Sequence, residues 1–492
     1  MTVAAQVEQA QALAAVGRID EALAILAPIT AALDAPWQAL SVHADLAKRA
    51  GRLQDSADLS RRLVQARPQS IPARHNLAST LGDLGLAAEA EAACRGAFAI
   101  GGDAPETWLV LARALQTQNR FDEAEDAYRQ AVARRPTYAD ALRDLSQLIW
   151  MRHADLEAAL APLDAAILTT PGDPSLRRLK ARLLEYAGQA QRGYACLIAD
   201  ELDGPGELVA AQLILPFDAA LALRHADRAA ALAQRPVPAV MVTQAECYLA
   251  LGQAPAALTH IDVLRQIEPL NQHVLAVQAT AWRMTGDPRY RQLYDYDAFV
   301  RGYQLDTPPG WPSLEAYLAD LAHALNALHR LEAHPVGQSL RGGSQTTASL
   351  AQSRDPAIQA FFQAIDRPIR DYMAAVGQGD DPLRSRNTGR YQVGGSWSVR
   401  LKPHGFHADH IHSDGWLSSA CHIELPPSVS DGGREGWLRF GAPPGLPDLP
   451  AERHVQPRPG TLVLFPSYMW HGTQPFGGEQ SRLTLAFDVV PA

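Results

Sequence analysis

Residues 17–22 read GRIDEA, and related phrases follow at residues 51–56 (GRLQDS), 85–90 (GLAAEA) and 119–124 (NRFDEA). Each phrase begins 34 residues after the one before it. Small residues recur at the sixth position of each phrase and seven residues before its start: Ala22, Ser56, Ala90 and Ala124, and Ala10, Ala44, Ala78 and Ala112. This period predicts pairs of amphipathic helices that bury their apolar faces only by stacking on neighbouring pairs, with small residues where the helices approach closely.

Residues that favour turns and helix ends occur at fixed positions of the same 34-residue repeat. Gly17, Gly51, Gly85 and Asn119 begin the phrases and are expected in the turn between helices; Pro68 and Pro136 follow the second helix of a pair. The spacing returns at Gly252 and Gly286. These features resemble the tetratricopeptide repeat over roughly residues 1–290. The resemblance implies an all-α solenoid with a groove that binds a peptide or protein; the alternative is a scaffold that only supports the second domain or a dimer.

The remaining two fifths of the chain have a different composition. Residues 291–492 hold 21 of the 35 glycines and 10 of the 16 histidines. Apolar residues at helical spacing predict helices in residues 313–334 and 355–376, and the polar stretch HPVGQSLRGGSQTT between them predicts a loop, either at the edge of an active site or as a plain connection. We therefore predict domains at residues 1–290, 291–385 (a helical lead-in) and 386–492 (strands and turns).

Charge and cysteine content narrow the function classes. The net charge of −9 disfavours nucleic acid or an anionic membrane as the main partner, and no apolar stretch approaches the 18 residues that a membrane span needs. The four cysteines, Cys94, Cys196, Cys247 and Cys421, lie far apart and form no CxxC pair. This pattern predicts packed thiols in a reducing compartment, and hence a cytoplasmic protein.

Histidines cluster in the segment KPHGFHADHIHSD. His410 and His412 are two residues apart, so on a strand both imidazoles would point to one face and could reach one cation. His407 would face differently on an unbroken strand. Asp409 and Asp414 lie close by and offer carboxylates.

Two further strands are predicted near the C-terminus. The apolar run TLVLF leads to His471, and RLTLAFDVV alternates so that Arg482, Thr484 and Ala486 share one face. An antiparallel return strand would bring Arg482 beside the strand that carried His471. The guanidinium could there hold a carboxylate in a bidentate clamp, and a salt bridge, for example to Asp488, is its structural alternative.

The layout of these residues resembles the iron(II)- and 2-oxoglutarate-dependent dioxygenases, and within them a bacterial group often fused to tetratricopeptide repeats. That family has a double-stranded β-helix, a jelly-roll or cupin-like barrel. Its pattern is His-x-Asp/Glu, a distal His, and Arg-x-Ser/Thr about ten residues further on. Here His410-Ile411-His412 occupies the first position, His471 the second, and Arg482-Leu483-Thr484 the third. The resemblance implies Fe(II) as cofactor, 2-oxoglutarate as cosubstrate held by Arg482 and Thr484, and hydroxylation of a substrate recruited by the repeats.

The sequence departs from the family pattern at His412, where an acid is expected. Three hypotheses remain open: a site of His410, His412 and His471; the usual two histidines and one carboxylate, with Asp409 or Asp414 as the acid; or a degenerate site without iron. Two alternatives to the dioxygenase also remain, a non-catalytic repeat scaffold with a degenerate barrel and a cupin-type metal enzyme that does not use 2-oxoglutarate.

Overall fold

The computed structural model describes residues 2–429 and 433–492. The chain divides into two compact units, Met1–Leu148 and Ile149–Ala492. This division falls within the helical repeats, so the domain ranges 1–290, 291–385 and 386–492 stay a prediction.

The first unit consists of paired helices of 12 to 14 residues. Their bounds are α1 Val3–Ala15, α2 Ile19–Thr30, α3 Trp37–Arg49, α4 Leu53–Ala66, α5 Ile71–Asp83, α6 Ala87–Ala99, α7 Pro105–Thr117 and α8 Phe121–Arg134; α9, Ala139–His153, follows. The eight small residues of the sequence lattice are all buried, with between 0% and 5% of their surface exposed. The close approach that the small side chains predicted between helices is therefore confirmed.

The turns between paired helices need a left-handed backbone. Gly17, Gly51 and Gly85 have φ of 82°, 74° and 75°, and Asn119 takes the same place with φ of 58°. Glycine tolerates this region because it has no Cβ atom, and asparagine tolerates it less readily because its short polar side chain can form local hydrogen bonds. Pro68 and Pro136 lie just beyond the last residues of α4 and α8. The predicted turn and end signals are thus confirmed.

The second unit continues the helix pairs and then changes to strands. Its helices are α10 Leu156–Thr169, α11 Pro174–Tyr186, α12 Ala190–Leu197, α13 Gly204–Ile214, α14 Ala219–Leu232, α15 Pro238–Ala250, α16 Ala254–Ile267, α17 Gln272–Thr285, α18 Arg289–Leu293, α19 Tyr296–Phe299, α20 Leu314–Leu328, α21 Pro356–Ala364 and α22 Asp366–Val376. Its strands are β1 Arg301–Gln304, β2 Leu340–Gln345, β3 Tyr391–His407, β4 Leu417–Glu424, β5 Leu438–Phe440, β6 Arg453–Val455, β7 Thr461–Pro466, β8 His471–Thr473 and β9 Arg482–Pro491.

The strands form two antiparallel sheets. The larger has the order β1-β7-β4-β9-β3-β2, and the smaller has the order β6-β5-β8. Most of the buried apolar side chains on these strands belong to β4, β7 and β9. The predicted fold class, helical repeats followed by a double-stranded β-helix with a helical lead-in, is confirmed.

Three local predictions were wrong. Part of the predicted loop at residues 334–347 is β2, which pairs with β3; its Gly-Gly core lacks the apolar alternation that marks a strand. β1 lies in the predicted helical lead-in and pairs with β7. The strand of Arg482, β9, pairs with β3 and β4, whereas the strand of His471, β8, pairs with β5 in the other sheet. Strands that follow each other in this fold cross between sheets, which sequence alternation alone does not reveal.

One apolar core joins the last repeat helices to the strands. It runs from Val242 in α15 to Val489 in β9. The Trp470 indole donates to Thr280 Oγ1 over 3.0 Å, and the Tyr294 hydroxyl donates to the Tyr468 carbonyl over 2.8 Å. These contacts fix β7 and β8 against α17. Among the described residues, no helix is both long and apolar enough to cross a membrane.

Candidate metal centre

Three histidines converge in the β domain. Ring nitrogens of His410, His412 and His471 all lie within 4.8 Å of one another. His410 and His471 exchange backbone hydrogen bonds of 2.9 Å and 3.0 Å as an isolated bridge. β3 ends at His407, so His410 and His412 do not lie on a regular strand as predicted, although their rings still meet. The bridge to His471, together with the bond from the His412 amide to the Ser467 carbonyl, holds the segment in place.

The Nδ1 atom of each of these rings already has an acceptor. His410 Nδ1 donates to the Ala408 carbonyl over 2.8 Å, and His471 Nδ1 donates to the Met469 carbonyl over 2.9 Å. His412 Nδ1 lies 2.6 Å from Asp488 Oδ1. A carbonyl or carboxylate can only accept, so each Nδ1 carries the proton and each Nε2 of a neutral ring carries a lone pair.

The Nε2 atoms of His410 and His412 face each other at 3.2 Å. Two lone pairs at this distance repel unless a cation or proton lies between them. Two nitrogens bound at right angles to one ion, about 2.1 Å from it, lie about 3 Å apart. The three imidazoles therefore fit a divalent transition metal, for which neutral imidazole is a preferred ligand.

Burial keeps the rings of His410 and His471 neutral. It lowers the pKa of His410 to about 3, with a smaller contribution from neighbouring His412. Burial also holds the pKa of His471 well below its usual range, and His410 adds to the effect. A neutral imidazole is the form that binds a metal, so these two rings can coordinate without first losing a proton.

The two alternative carboxylates lie outside this group. Asp409 Oδ1 accepts from Arg439 Nε over 2.9 Å, and its Oδ2 accepts from Arg439 Nη2 over 2.5 Å. Both oxygens are thus engaged in a bidentate ion pair. Asp414 is exposed and borders the same cavity. No carboxylate oxygen of Asp409 or Asp414 belongs to the group of converging ligand atoms found among the described residues.

Arg482 is buried in the same cavity, with 2% of its surface exposed. Its Nη1 donates to the Gly436 carbonyl over 2.7 Å, its Nη2 lies 3.2 Å from His422 Nδ1, and its Nε has no partner within residues 2–429 and 433–492. Asp488 bonds to His412 and Ser418, so the salt bridge considered for Arg482 does not form. Burial lowers the pKa of Arg482 to about 10, which still leaves the guanidinium charged at neutral pH.

A buried guanidinium without a carboxylate partner calls for an anion. His422 reinforces the requirement, because its Nδ1 accepts from Arg482 and its Nε2 is left without a partner. Thr484 lies two residues along β9 and lines the same cavity. The predicted shared face of Arg482, Thr484 and Ala486 is thus present, although the strand pairing differs from the prediction.

The cavity that holds both groups has a volume of about 520 Å³. The three histidines, Arg482 and Thr484 line it, together with Phe465 and Trp397. The Trp397 ring lies 5.6 Å from the His412 ring. The stretch predicted as a loop contributes Gln338, Ser339 and Arg341 to the wall, so of its two interpretations the structure favours the edge of a site.

Sequence reasoning missed several residues of this centre. Asp488 is the partner of His412, and its position six residues after Arg482 places it on the same face of β9, a signal that the alternation contained. Ser339 lies 2.9 Å from His407 Nδ1 and 3.1 Å from His410 Nε2. No local pattern indicates Ser339 or His422, because each meets its partner only through the sheet.

Comparison with known proteins agrees with this geometry. A family model described as "Putative 2OG-Fe(II) oxygenase" matches residues 395–488, which include all three histidines and Arg482. A model of the tetratricopeptide repeat matches residues 109–175. No curated protein matches the chain.

Several solved structures are similar to part of this chain. A tetratricopeptide repeat protein from Parabacteroides merdae is 14% identical with a TM-score of 0.36, over 49% of this chain and 97% of that one. MamA is 17% identical with a TM-score of 0.29, over 40% and 94%. The Cut9-Hcn1 assembly of APC/C is 13% identical with a TM-score of 0.32, over 56% and 57%. At these scores the similarities carry no functional inference. The chain thus combines tetratricopeptide repeats with a C-terminal segment that matches a 2OG-Fe(II) oxygenase family.

Proposed function

We propose that the protein is an Fe(II)- and 2-oxoglutarate-dependent dioxygenase that hydroxylates a peptide, protein or other substrate recruited by the repeats. One observation carries the proposal. A cluster of three metal-ready imidazoles and a buried, uncompensated guanidinium line the same cavity. A metal alone would explain the first feature and not the second.

Each residue then has a defined role. His410, His412 and His471 would hold the metal through Nε2, which leaves other coordination positions open. Arg482, with Thr484, would hold the distal carboxylate of 2-oxoglutarate. When bound, the metal and cosubstrate supply the oxidation, in which O₂, 2-oxoglutarate and a substrate C–H group give a hydroxyl group, succinate and CO₂.

The rest of the cavity orients these groups and limits water. Asp488 fixes the His412 ring through Nδ1, and the Met469 and Ala408 carbonyls fix the other two rings. Because His422 accepts as a neutral ring, it orients Arg482 without cancelling its charge. The cosubstrate would therefore meet a full positive charge in a buried site, where ion pairing is strong.

The repeats supply the proposed recruitment role, since tetratricopeptide repeats generally bind proteins. The partner is a peptide or protein whose identity stays open. The cytoplasmic location also stays a prediction; the four free cysteines, three of them buried, support it.

An anaerobic titration tests the proposal. Metal-free protein is loaded with Fe(II), 2-oxoglutarate is added, and the visible charge-transfer band of the chelate is recorded. Oxygen is then admitted and succinate is measured. We expect both the band and succinate; the absence of both in the wild type would contradict the dioxygenase function and leave the scaffold alternative.

Variants then separate the remaining alternatives. Arg482→Ala should weaken 2-oxoglutarate and leave metal binding intact, whereas Arg458→Ala, which removes an exposed guanidinium of the same domain, should change neither. Metal binding without any response to 2-oxoglutarate would favour the cupin-type enzyme. Comparison of His412→Ala, Asp409→Ala and Asp414→Ala identifies the third ligand, and we expect only His412→Ala to lose the metal.

A further inference from the structure

A second guanidinium without a carboxylate partner among the described residues lines the same cavity. Arg341, at the start of β2, is half-buried. Its Nη1 donates to the carbonyls of Gln338 and Leu340 over 2.8 Å and 2.9 Å. It forms no ion pair with a carboxylate of the described residues. Glu185, an acid whose charge acts on Arg341, is already paired with Arg182 at 2.7 Å.

The other charged residues of the described cavity wall have an assigned partner or face solvent. Asp409 is paired with Arg439, and Asp488 with His412. In the proposed function, the distal carboxylate of the cosubstrate would match Arg482. Asp414 is exposed to solvent. Arg341 is thus the one positive charge of the described wall that neither an acid nor the proposed cosubstrate matches.

This part of the wall is held in place by the repeats of the same unit. The amides of Glu332 and Ala333 donate to the Met151 carbonyl over 2.8 Å and 3.0 Å. The Trp150 indole donates to the His334 carbonyl, and His334 Nε2 lies 3.2 Å from the Tyr186 carbonyl. The segment before β2 is therefore tied to α9 and α11 from both sides.

Tyr186, the last residue of α11, completes the cavity beside Arg341. Gly337 has φ of 90°, and a Cβ atom at this position would lie 3.8 Å from the Tyr186 ring. The register of β2 against β3 also shifts between Arg341 and Gly343, an irregularity of the kind that redirects a side chain next to a site. A guanidinium held by two carbonyls, a phenol and Gln338 thus line the cavity that also contains the three histidines.

We propose that Arg341 binds an acidic group of the substrate, so that the substrate class is a carboxylate-bearing molecule, such as a peptide with an aspartate or glutamate next to the oxidised carbon. The proposal rests on the proposed function for the oxidation, though not for the binding of the acid. A planar guanidinium pairs with a carboxylate through two parallel hydrogen bonds, which also orients the neighbouring C–H group.

The first test is equilibrium binding to the metal-free protein, measured by calorimetry with N-acetylated, C-amidated Ala-Asp-Ala, Ala-Glu-Ala, Ala-Asn-Ala and Ala-Gln-Ala. We expect at least one acidic peptide to bind about 10- to 100-fold more tightly than its amide counterpart, the range for a charge-assisted pair. Arg341→Gln should abolish this preference and Arg341→Lys should keep part of it. An equal affinity of acid and amide, including no binding by either, would overturn the proposal, as would a preference that Arg341→Gln retains.

Blocked aspartate without flanking residues distinguishes the source of the acid. Affinity equal to that of the tripeptide supports a small carboxylic acid, and tighter binding of the tripeptide supports an acidic residue within a peptide. Loss of the acidic preference in Arg482→Ala together with its retention in Arg341→Gln would assign the acid to Arg482 and overturn the proposal.

The second test measures turnover and separates the two proposals. Succinate release without peptide and the charge-transfer band report on the proposed function, and both are recorded for the wild type and for Arg341→Gln. Stimulation of succinate release by the acidic peptide should fall about 10- to 100-fold in this variant. Acid-selective binding without the band or succinate would refute the dioxygenase function and support the anion site at Arg341. The band and succinate without acid-selective binding would support the dioxygenase function and refute the anion site.

Discussion

In the first unit the buried small residues recur every 34 positions, whereas the residues that line the cavity of the β domain come from segments between Tyr186 and Asp488. A repeat helix contacts mainly its neighbours in sequence, as α7 and α8 do. His471, by contrast, meets His410 across 61 residues and Arg482 meets His422 across 60.

This difference separates stability from chemistry. In the repeats each buried alanine has the same task, so its replacement should affect stability and leave the metal centre unchanged. In the cavity a polar residue has one specific partner, so its replacement should affect binding more than stability. The following variants test that separation, from the largest effect to the smallest.

His471→Ala should remove metal binding. The variant deletes one of three ligands and the most buried member of the cluster. Loss of a residue that only supports a ligand typically weakens metal binding about 10- to 100-fold, so loss of the ligand itself should lower Co(II) affinity by more than this. Visible absorption of Co(II) measures the effect. His454→Ala removes a histidine of the same domain that lies outside the cavity, and it should bind Co(II) like the wild type; equal binding by both variants would contradict the assignment.

Asp488→Asn should weaken Co(II) binding about 10- to 100-fold while keeping the shape of the side chain. The carboxylate accepts from His412 Nδ1 over 2.6 Å and makes Nε2 a stronger donor to the metal. Asp414→Asn is the matched control, because it neutralises an exposed carboxylate at the same cavity. The role of Asp488 would be refuted if the two variants bound Co(II) with the same affinity.

Ala90→Leu should lower the free energy of unfolding of the first unit by about 1–3 kcal/mol, the cost of overpacking a filled core. Ala90 is completely buried, whereas Ala88 on the same helix, α6, is exposed. Ala88→Leu should therefore change stability by less than about 0.5 kcal/mol. Urea unfolding of the full chain measures both. A loss of Co(II) binding in Ala90→Leu would break the proposed separation.

Gly51→Ala should cost about 1–2 kcal/mol, because φ of 74° places the new Cβ in the left-handed region while nothing lies within 4 Å of it. Gly82→Ala is the matched control. Gly82 lies inside α5 with ordinary backbone and equally open space, so alanine there should stabilise the helix by about 0.5–1 kcal/mol. Urea unfolding measures the change in unfolding free energy for both variants. Changes of opposite sign would attribute the cost to the turn, and changes of the same sign would contradict this explanation.

The candidate site shows how far local patterns reach. The shared face of Arg482 and Thr484 follows from strand alternation, and the pairing of His410 with His412 from their spacing. The partners Asp488 and His422 were not predicted, because each meets its contact across the sheet at a register that only the folded barrel defines. β2 was not predicted for a similar reason. An edge strand pairs on one side only and can be rich in glycine, so its sequence need not show the apolar alternation of a strand.

The sequence by itself determined the repeat period, the turn residues, the change of architecture after the repeats and the histidines of the cluster, because these depend on residue type and short spacing. Only the tertiary structure decided that Asp409 belongs to Arg439, that Asp488 supports His412, and that Arg341 and Arg482 have no acidic partner in the part of the chain that the structure describes. Charge compensation is a property of groups brought together by strand pairing and helix packing. It therefore cannot be read from the order of residues along the chain.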